Sequence, residues 1–205
     1  MIKTVEQDGI VTVTIYRPEK ANSLTKTMLV ELADTMTQAR SARGVILTGT
    51  GKVFSAGADL DEAKAGLATD PVWETLSNAV ATLPCLTVAA LNGTLAGGAM
   101  GMALACDLRI AVPTAKFFYP VMNLGFLPQP SDPARMRALI GPARAKLILM
   151  AGQKILAGEA LSFGLIDRIV DPEALLETAN ALLTSSANAD PDLCAQIKTM
   201  CSDPR

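Results

Sequence analysis

The sequence contains no histidine. That absence removes Ser-His-Asp triads, Cys-His dyads, HExxH zinc sites and histidine general bases together. It also lacks a Cys-x-x-Cys pair. Its four cysteines, Cys85, Cys106, Cys194 and Cys201, are scattered, so no metal site is expected from them and reduced thiols of a cytoplasmic protein are the plain reading. Neither charge is in surplus, with 18 Lys+Arg against 20 Asp+Glu. Without a basic stripe to displace counterions, no nucleic-acid partner is expected. Charge is sparse as well: 19% of the 205 residues are charged and 50% are hydrophobic. That balance excludes a disordered tail and suits one core with a small appendage. No charged n-region followed by an apolar h-region opens the chain, so no signal peptide is expected.

The run from Cys85 to Cys106 carries no charge. It is long enough to span a bilayer, and Gly93, Gly97 and Gly101 fall at GxxxG spacing. Against a membrane helix, Asn92-Gly93 is a turn signal in its middle. It splits the run into a β-like half and a helix-like half, and charge returns at Asp107 and Arg109. A buried strand-turn-helix is the expectation, with no membrane partner.

The chain opens as a β-hairpin: Val5, an Asp8-Gly9 turn, then the β-branched run Ile10–Ile15. Met28, Leu32, Met36 and Ala39 share one face of a helix predicted over Thr25–Arg40. Strands follow at Gly44–Thr48, Leu86–Leu91 and Leu108–Val112. Helices are predicted at Ala58–Ala65, Pro71–Leu83 and Gly98–Cys106, the last all apolar and hence buried. Phe117–Gln129 reads as a loop broken by Pro120, Gly125 and Pro128. Helices then dominate, over Ser131–Ile140, Ala143–Met150, Gly158–Phe163, Pro172–Ser185 and Asp190–Met200. Strands alternating with helices, then a helical tail, predict an α/β fold with a helical C-terminal part.

Two strand–glycine–helix junctions stand out: Phe54-Ser55-Ala56-Gly57-Ala58-Asp59 and Ala96-Gly97-Gly98-Ala99. A helix start offers unpaired N–H groups and a positive dipole end, and small residues admit a ligand to the backbone. Two such ends facing one oxygen form an oxyanion hole, each donor worth about 3 kcal/mol at the transition state. Taken singly, each junction is more often a packing solution. Neither is GxGxxG, a P-loop or a GxSxG elbow.

Six ordered motifs carry a resemblance. They are Arg17-Pro18-Glu19-Lys20-Ala21-Asn22-Ser23-Leu24, Phe54 to Leu60, Asn92-Gly93 through Gly97-Gly98, Ala105 to Ala111, Asn123-Leu124-Gly125, and Gly158-Glu159-Ala160 through Gly164-Leu165-Ile166. From the first strand to about Met200 the chain resembles the crotonase superfamily of enoyl-CoA hydratases and isomerases. The resemblance implies a crotonase-like spiral of β-β-α repeats over 1–185 with a C-terminal helical extension over 186–205, shorter than is usual for that family. It implies a homotrimer or a dimer of trimers, and an acyl-CoA thioester as substrate, with no cofactor beyond the coenzyme A it carries. By motif position the oxyanion-hole N–H groups are those of Ala58 and Gly98. Ala21, Leu24, Ala56, Asp59, Leu60, Gly97 and Val121 fall where the family binds substrate. Lys20 and Lys52 become candidates for coenzyme A phosphates, and Trp73 and Met100 for the acyl pocket, although a solvated lysine and plain core are the commoner fates of such residues.

The acid positions of that family are empty here. Its hydratase glutamates fall at Gly101 and Val121, and a third acid position, used by some isomerases, is Gln129. An amide takes no proton at pH 7. Tyr119 is the candidate proton donor, and Gln129 could orient water or substrate. Asp132, in Ser131-Asp132-Pro133, reads as a helix cap. Asp59, Asp61 and Glu62 read as compensation of a helix dipole, and Asp107 as a structural acceptor. An isomerase lacks a visible base, whereas decarboxylation of a carboxyacyl thioester generates its enolate without one. The reading is an isomerase or lyase rather than a standard hydratase. The alternative is a non-catalytic acyl-CoA-binding or partner subunit.

Overall fold

The computed structural model describes residues 1–202. The hairpin forms as the sequence dictates. Strands β1 (Ile2–Gln7) and β2 (Ile10–Ile15) pair antiparallel across Asp8-Gly9, both at positive φ, as a two-residue primed turn requires. From β2 the sheet grows by parallel pairing through β3 (Gly44–Gly49), β5 (Leu86–Leu91), β7 (Leu108–Ala111) and β10 (Arg168–Ile169), in the order β1-β2-β3-β5-β7-β10. A second sheet collects the short strands β4 (Val53–Ser55), β6 (Thr94–Ala96), β8 (Lys116–Phe118) and β9 (Ile155–Leu156). Three successive turns of chain, β3-β4, β5-β6 and β7-β8, each give one strand to either sheet before a helix. That is the expected β-β-α spiral.

The helices are α1 (Lys26–Gln38), α2 (Leu60–Lys64), α3 (Val72–Ala81), α4 (Met100–Ala105), α5 (Val121–Leu124), α6 (Asp132–Leu149), α7 (Ala157–Phe163), α8 (Leu175–Asn188) and α9 (Pro191–Ser202). Thr25 caps α1 by accepting the Met28 N–H. α6 is broken at Gly141 (φ 77°), before Pro142, so the range holds the two helices read from sequence, joined at a kink. The helix read over Pro172–Ser185 is a 3₁₀ turn at Pro172–Ala174 followed by α8, which runs through residue 185 to Asn188. Beyond it, α9 supplies the described part of the extension; residues 203–205 lie outside the described range.

Phe117–Gln129 is not simply a loop. It contains the end of β8 and the helix α5. The reason is local. Leu95 and Ala96 of β6 offer a free edge to which Phe117 and Phe118 pair, and Gly125, at φ 73°, ends the following turn in the left-handed conformation.

Parallel strands covered on both faces carry continuous apolar runs. Val45, Ile46 and Leu47 of β3, Val88 to Leu91 of β5 and Ile110 and Ala111 of β7 are all buried. Polar groups between the layers are paired: the Thr48 hydroxyl donates to the Ala90 carbonyl. The Asn92 side chain accepts the Gly49 N–H and donates to the carbonyls of Gly51 and Val53. At the far end, Asp107 Oδ2 accepts the Thr87 N–H and hydroxyl and the Lys198 ammonium, tying α9 to the sheet. Asp107 is therefore the structural acceptor read from sequence. Burial pushes the thiols of Cys85 and Cys106 up to about 11 and about 12, which leaves them inert. Among the described residues no helix is long and apolar enough to cross a membrane; the uncharged run from Cys85 to Cys106 folds as β5, β6 and α4.

The β3–β4 and β5–β6 corners press backbone against backbone. A Cβ on Gly93 would stand 2.0 Å from the Lys52 carbonyl oxygen, whereas one on Gly158 in α7 would meet nothing within 4 Å. Gly93→Ala is expected to cost about 3 kcal/mol, a Tm fall of roughly 6–12 °C for a chain of this size. Gly158→Ala is expected to leave Tm unchanged or slightly raised. Calorimetry of the two variants checks both.

Candidate active site

The first junction is built by a short ladder. Ala56 N–H donates to Ala21 O (3.0 Å), Leu24 N–H to Gly57 O (2.8 Å) and Asp59 N–H to Leu24 O (2.8 Å). Gly57 N–H turns onto the Ser55 hydroxyl (3.2 Å), which itself donates to Asn22 O. In the run 56–59, Ala58 alone has an N–H outside this ladder. A parallel bridge to Leu24 fixes its position while using its neighbours' bonds.

The segment facing it is held in an uncommon conformation. Ala21 and Asn22 both lie at positive φ, 51° and 53°, which L-residues with side chains seldom adopt. Asn22 is fully buried and secures the turn through its amide. Oδ1 accepts the Arg17 N–H, and Nδ2 donates to Thr50 O and Val53 O. This is where a motif residue with no assigned role in the sequence reading finds one.

The second junction meets the first through glycine. Gly57 (φ 93°) and Gly97 (φ 58°) abut: a Cβ on Gly57 would be 3.0 Å from Ala96 O and 3.5 Å from Gly97 Cα. Gly98 follows in the 3₁₀ turn Gly97–Ala99 that leads into α4. There its N–H has no helical acceptor. Ala58, Gly97 and Gly98 are half-buried, Ala56 and Leu60 are exposed and Leu24 is buried, so the junction pair stands at an opening. Lys20 and Lys52 are exposed. Met100 is fully buried core beside Leu91 and Leu95. Trp73 is also buried; its ring would meet a Cβ on Gly98 at 3.1–3.2 Å, and its Nε1 donates to Leu67 O at 2.8 Å.

Two carboxylates near the first junction are occupied. Asp59 caps α2 by accepting the Asp61 N–H, and its Oδ2 takes the Arg17 guanidinium at 2.8 Å, which holds its pKa below the ordinary carboxylate value. Glu62 accepts the Lys26 N–H.

Asp132 corrects the sequence reading. It is the first residue of α6 and makes no capping bond. Its side chain points inward and is completely buried. Oδ2 accepts the Tyr119 hydroxyl at 2.9 Å, and that hydroxyl oxygen in turn accepts the Gln129 N–H at 3.4 Å. Among the described residues, Oδ1 of Asp132 is the buried side-chain polar atom with no partner. It points at Gly101: a Cβ there would stand 2.8 Å from it. Gly98 and Gly101 are three residues apart where α4 begins, hence neighbours on one face. The orphan oxygen thus stands against a residue about one helical turn on from Gly98. Burial pushes the Asp132 carboxyl up to about 7, while the Tyr119 hydrogen bond and the Arg135 charge pull it down and Glu74 raises it. The Tyr119 phenol is pushed up out of its ordinary range, by burial first and the Asp132 charge next. It is held as a neutral donor to Asp132.

The start of α6 is pinned to α3. Ser131 N–H and hydroxyl donate to Glu74, and Arg135 donates to Ser131, Ser77 and Asn78. Gln129 is buried with its amide on Ala68 O, and Val121 is buried in α5. Tyr119 and Gln129 are thus brought together with Asp132, while Val121 is simply buried in α5. A groove of about 890 Å³ lies elsewhere, between the end of α4, α6 and the helices α8 and α9, lined by Leu86, Leu104, Leu139, Leu193 and Ile197 among others. Of the residues around Asp132 it shares Arg135.

Chemically, two backbone N–H groups beside a desolvated carboxyl that titrates near neutrality suit stabilisation of an oxyanion with proton transfer at a neighbouring carbon. The family model for enoyl-CoA hydratase/isomerase matches residues 5–204. The chain is 36% identical over 205 residues to the enoyl-CoA hydratase/isomerase YngF of Bacillus subtilis, covering 95% of this chain and 78% of that protein. It is 31% identical to the 1,2-epoxyphenylacetyl-CoA isomerase of Escherichia coli, over 86% of this chain and 72% of that one. The crystal structure of an enoyl-CoA hydratase from Bacillus anthracis superposes with a TM-score of 0.91 at 32% identity, covering 98% of this chain and 82% of the other. The chain belongs to the enoyl-CoA hydratase/isomerase family.

Proposed function

We propose that the protein is an acyl-CoA thioester isomerase that shifts a carbon–carbon double bond, with the thioester oxygen on the N–H groups of Ala58 and Gly98 and Asp132 as the single proton-carrying group. The observation that carries this reading is the orphan Oδ1 of Asp132, buried, unpartnered and facing the space left by Gly101. A buried polar atom without a partner costs free energy that a bound ligand can return.

The steps balance without a co-reactant. Ionised Asp132 removes a proton from the α-carbon of a β,γ-enoyl thioester. The electron pair moves onto the carbonyl oxygen, where the two N–H groups meet the developing charge. The same carboxyl, now protonated, returns its proton to the γ-carbon, and the pair returns to give the α,β-enoyl thioester. One carboxyl is enough, and a pKa near 7 lets it serve both as base and as acid. Tyr119 holds Oδ2 so that Oδ1 faces the substrate. Decarboxylation is less well supported, because an ionised Asp132 would oppose the carboxylate of such a substrate.

Conversion of a short 3-enoyl-CoA to its conjugated isomer, followed in the near ultraviolet, tests the reading. Asp132→Asn is expected to lower kcat by roughly 10²–10⁴-fold. Unchanged turnover in that variant, or a hydrated product from the wild type, overturns it. The free-enzyme kcat/KM is expected to rise with pH through about 7, where Asp132 ionises. Tyr119→Phe removes a bond to the charged form, so the same limb should move to higher pH with a lower plateau.

The linkage follows in sign. The folded pKa lies above the ordinary 3.8, so the stabilisation linked to this proton is complete below that value and lost as pH rises through about 7. Asp132→Asn should flatten that pH dependence of Tm.

A further inference from the structure

We infer that Arg17 is a positioning residue for the oxyanion-binding N–H of Ala58, acting by holding Asp59 in place and neutralising it. The inference rests on the hole proposed above and not on the role of Asp132. Asp59 follows Ala58 directly, so its carboxylate is the fixed negative group nearest in sequence to the N–H that would meet a developing oxyanion. It cannot leave: Oδ1 caps α2 through Asp61 N–H at 3.2 Å, and its own N–H is committed to Leu24 O at 2.8 Å. A full negative charge there would oppose an anion bound beside it, because unlike-sign pairing favours and like-sign pairing disfavours the charged form.

Arg17 answers both problems. Its Nη1 reaches Asp59 Oδ2 at 2.8 Å and also donates to Ser23 O and Ser23 Oγ at 3.1 and 3.3 Å. The pair is mostly withdrawn from water, with side-chain exposures of 19% and 16%, so it is screened less than an open surface pair. The backbone of Arg17 belongs to the same bracket. Its N–H donates to Asn22 Oδ1, and its carbonyl accepts the N–H groups of Lys20 and Asn22. One residue therefore ties the left-handed turn at Ala21-Asn22, the bridge at Leu24 and the charge at Asp59 into the frame that presents Ala58.

The test uses acetoacetyl-CoA, whose enolate absorbs in the near ultraviolet, so occupancy of the hole by an oxyanion is read without turnover. Wild-type protein is expected to raise the enolate band on titration. Arg17→Met should lower the enolate-binding constant at least tenfold. Arg17→Lys, which keeps the charge without the fork, should fall between the two. The decisive variant is Arg17→Met with Asp59→Asn, which removes the unpaired charge. It should recover at least a third of the lost binding on a logarithmic scale, an effect that a merely structural arginine would not give. Arg17→Met within twofold of wild type, or a double variant no better than the single one, overturns the inference. Absence of any enolate band with the wild type overturns the inference together with the hole. A band without double-bond isomerisation overturns only the isomerase reading with Asp132, and leaves Arg17 to be judged by its own variants.

Discussion

Everything at the site depends on two glycine backbones packed so closely that a Cβ on either would touch the other. Gly57 and Gly97 sit at the corners where β4 and β6 leave the second sheet, and each takes a positive φ that a larger residue would resist. Their apposition brings two helix starts, α2 after Ala58 and α4 after Gly98, to one place. A helix start has N–H groups that its own turns cannot use. At α1 such a group is met by the Thr25 cap, and within α2 the Asp61 N–H is met by Asp59. Where the two glycines meet, the Ala58 N–H is kept out of the surrounding ladder, and the Gly98 N–H has no turn behind it to bond.

The rest of the molecule holds this contact still. The large parallel sheet sets the spacing of β3 and β5. Asn92 bonds the two corners that follow them. Asn22 does the same for the turn that carries Leu24 to its bridge with Ala58. On the other side of α4, α3 and α6 are locked by Glu74, Ser131 and Arg135. This fixes the first residue of α6, and with it Asp132, without a bond to that carboxyl's second oxygen. Rigid support around an unsatisfied polar atom is the arrangement expected where a reacting group must be ready before its substrate arrives.

Much of this was legible in the sequence, and the parts that were not have physical reasons. The hairpin declared itself through Asp8-Gly9 and the β-branched run after it. Both glycine junctions could be read as helix starts with small residues, and the motif order placed Ala58 and Gly98 together. The second sheet was missed because its strands are only two or three residues long, too short for a period to show. Asp132 was misread because Ser-Asp-Pro before a helix is locally a cap, and burial is decided by α3 and α4, far away in the chain. Its partner Tyr119 lies 13 residues back, a spacing with no local signature. No spacing or motif in the sequence marks Asp132 as the carboxyl buried against Gly101.

Gly101 gives this arrangement a consequence for how its chemistry can change over time. Asp132 Oδ1 stands over that glycine, and a Cβ there would come within 2.8 Å of it. Position 101 and position 132 therefore behave as one site written in two places. A side chain at 101 and the carboxylate at 132 compete for one volume, and a chain with a large group at both would be crowded there. Substitutions at the two positions are therefore coupled, and single substitutions at either are poor guides to what the pair allows.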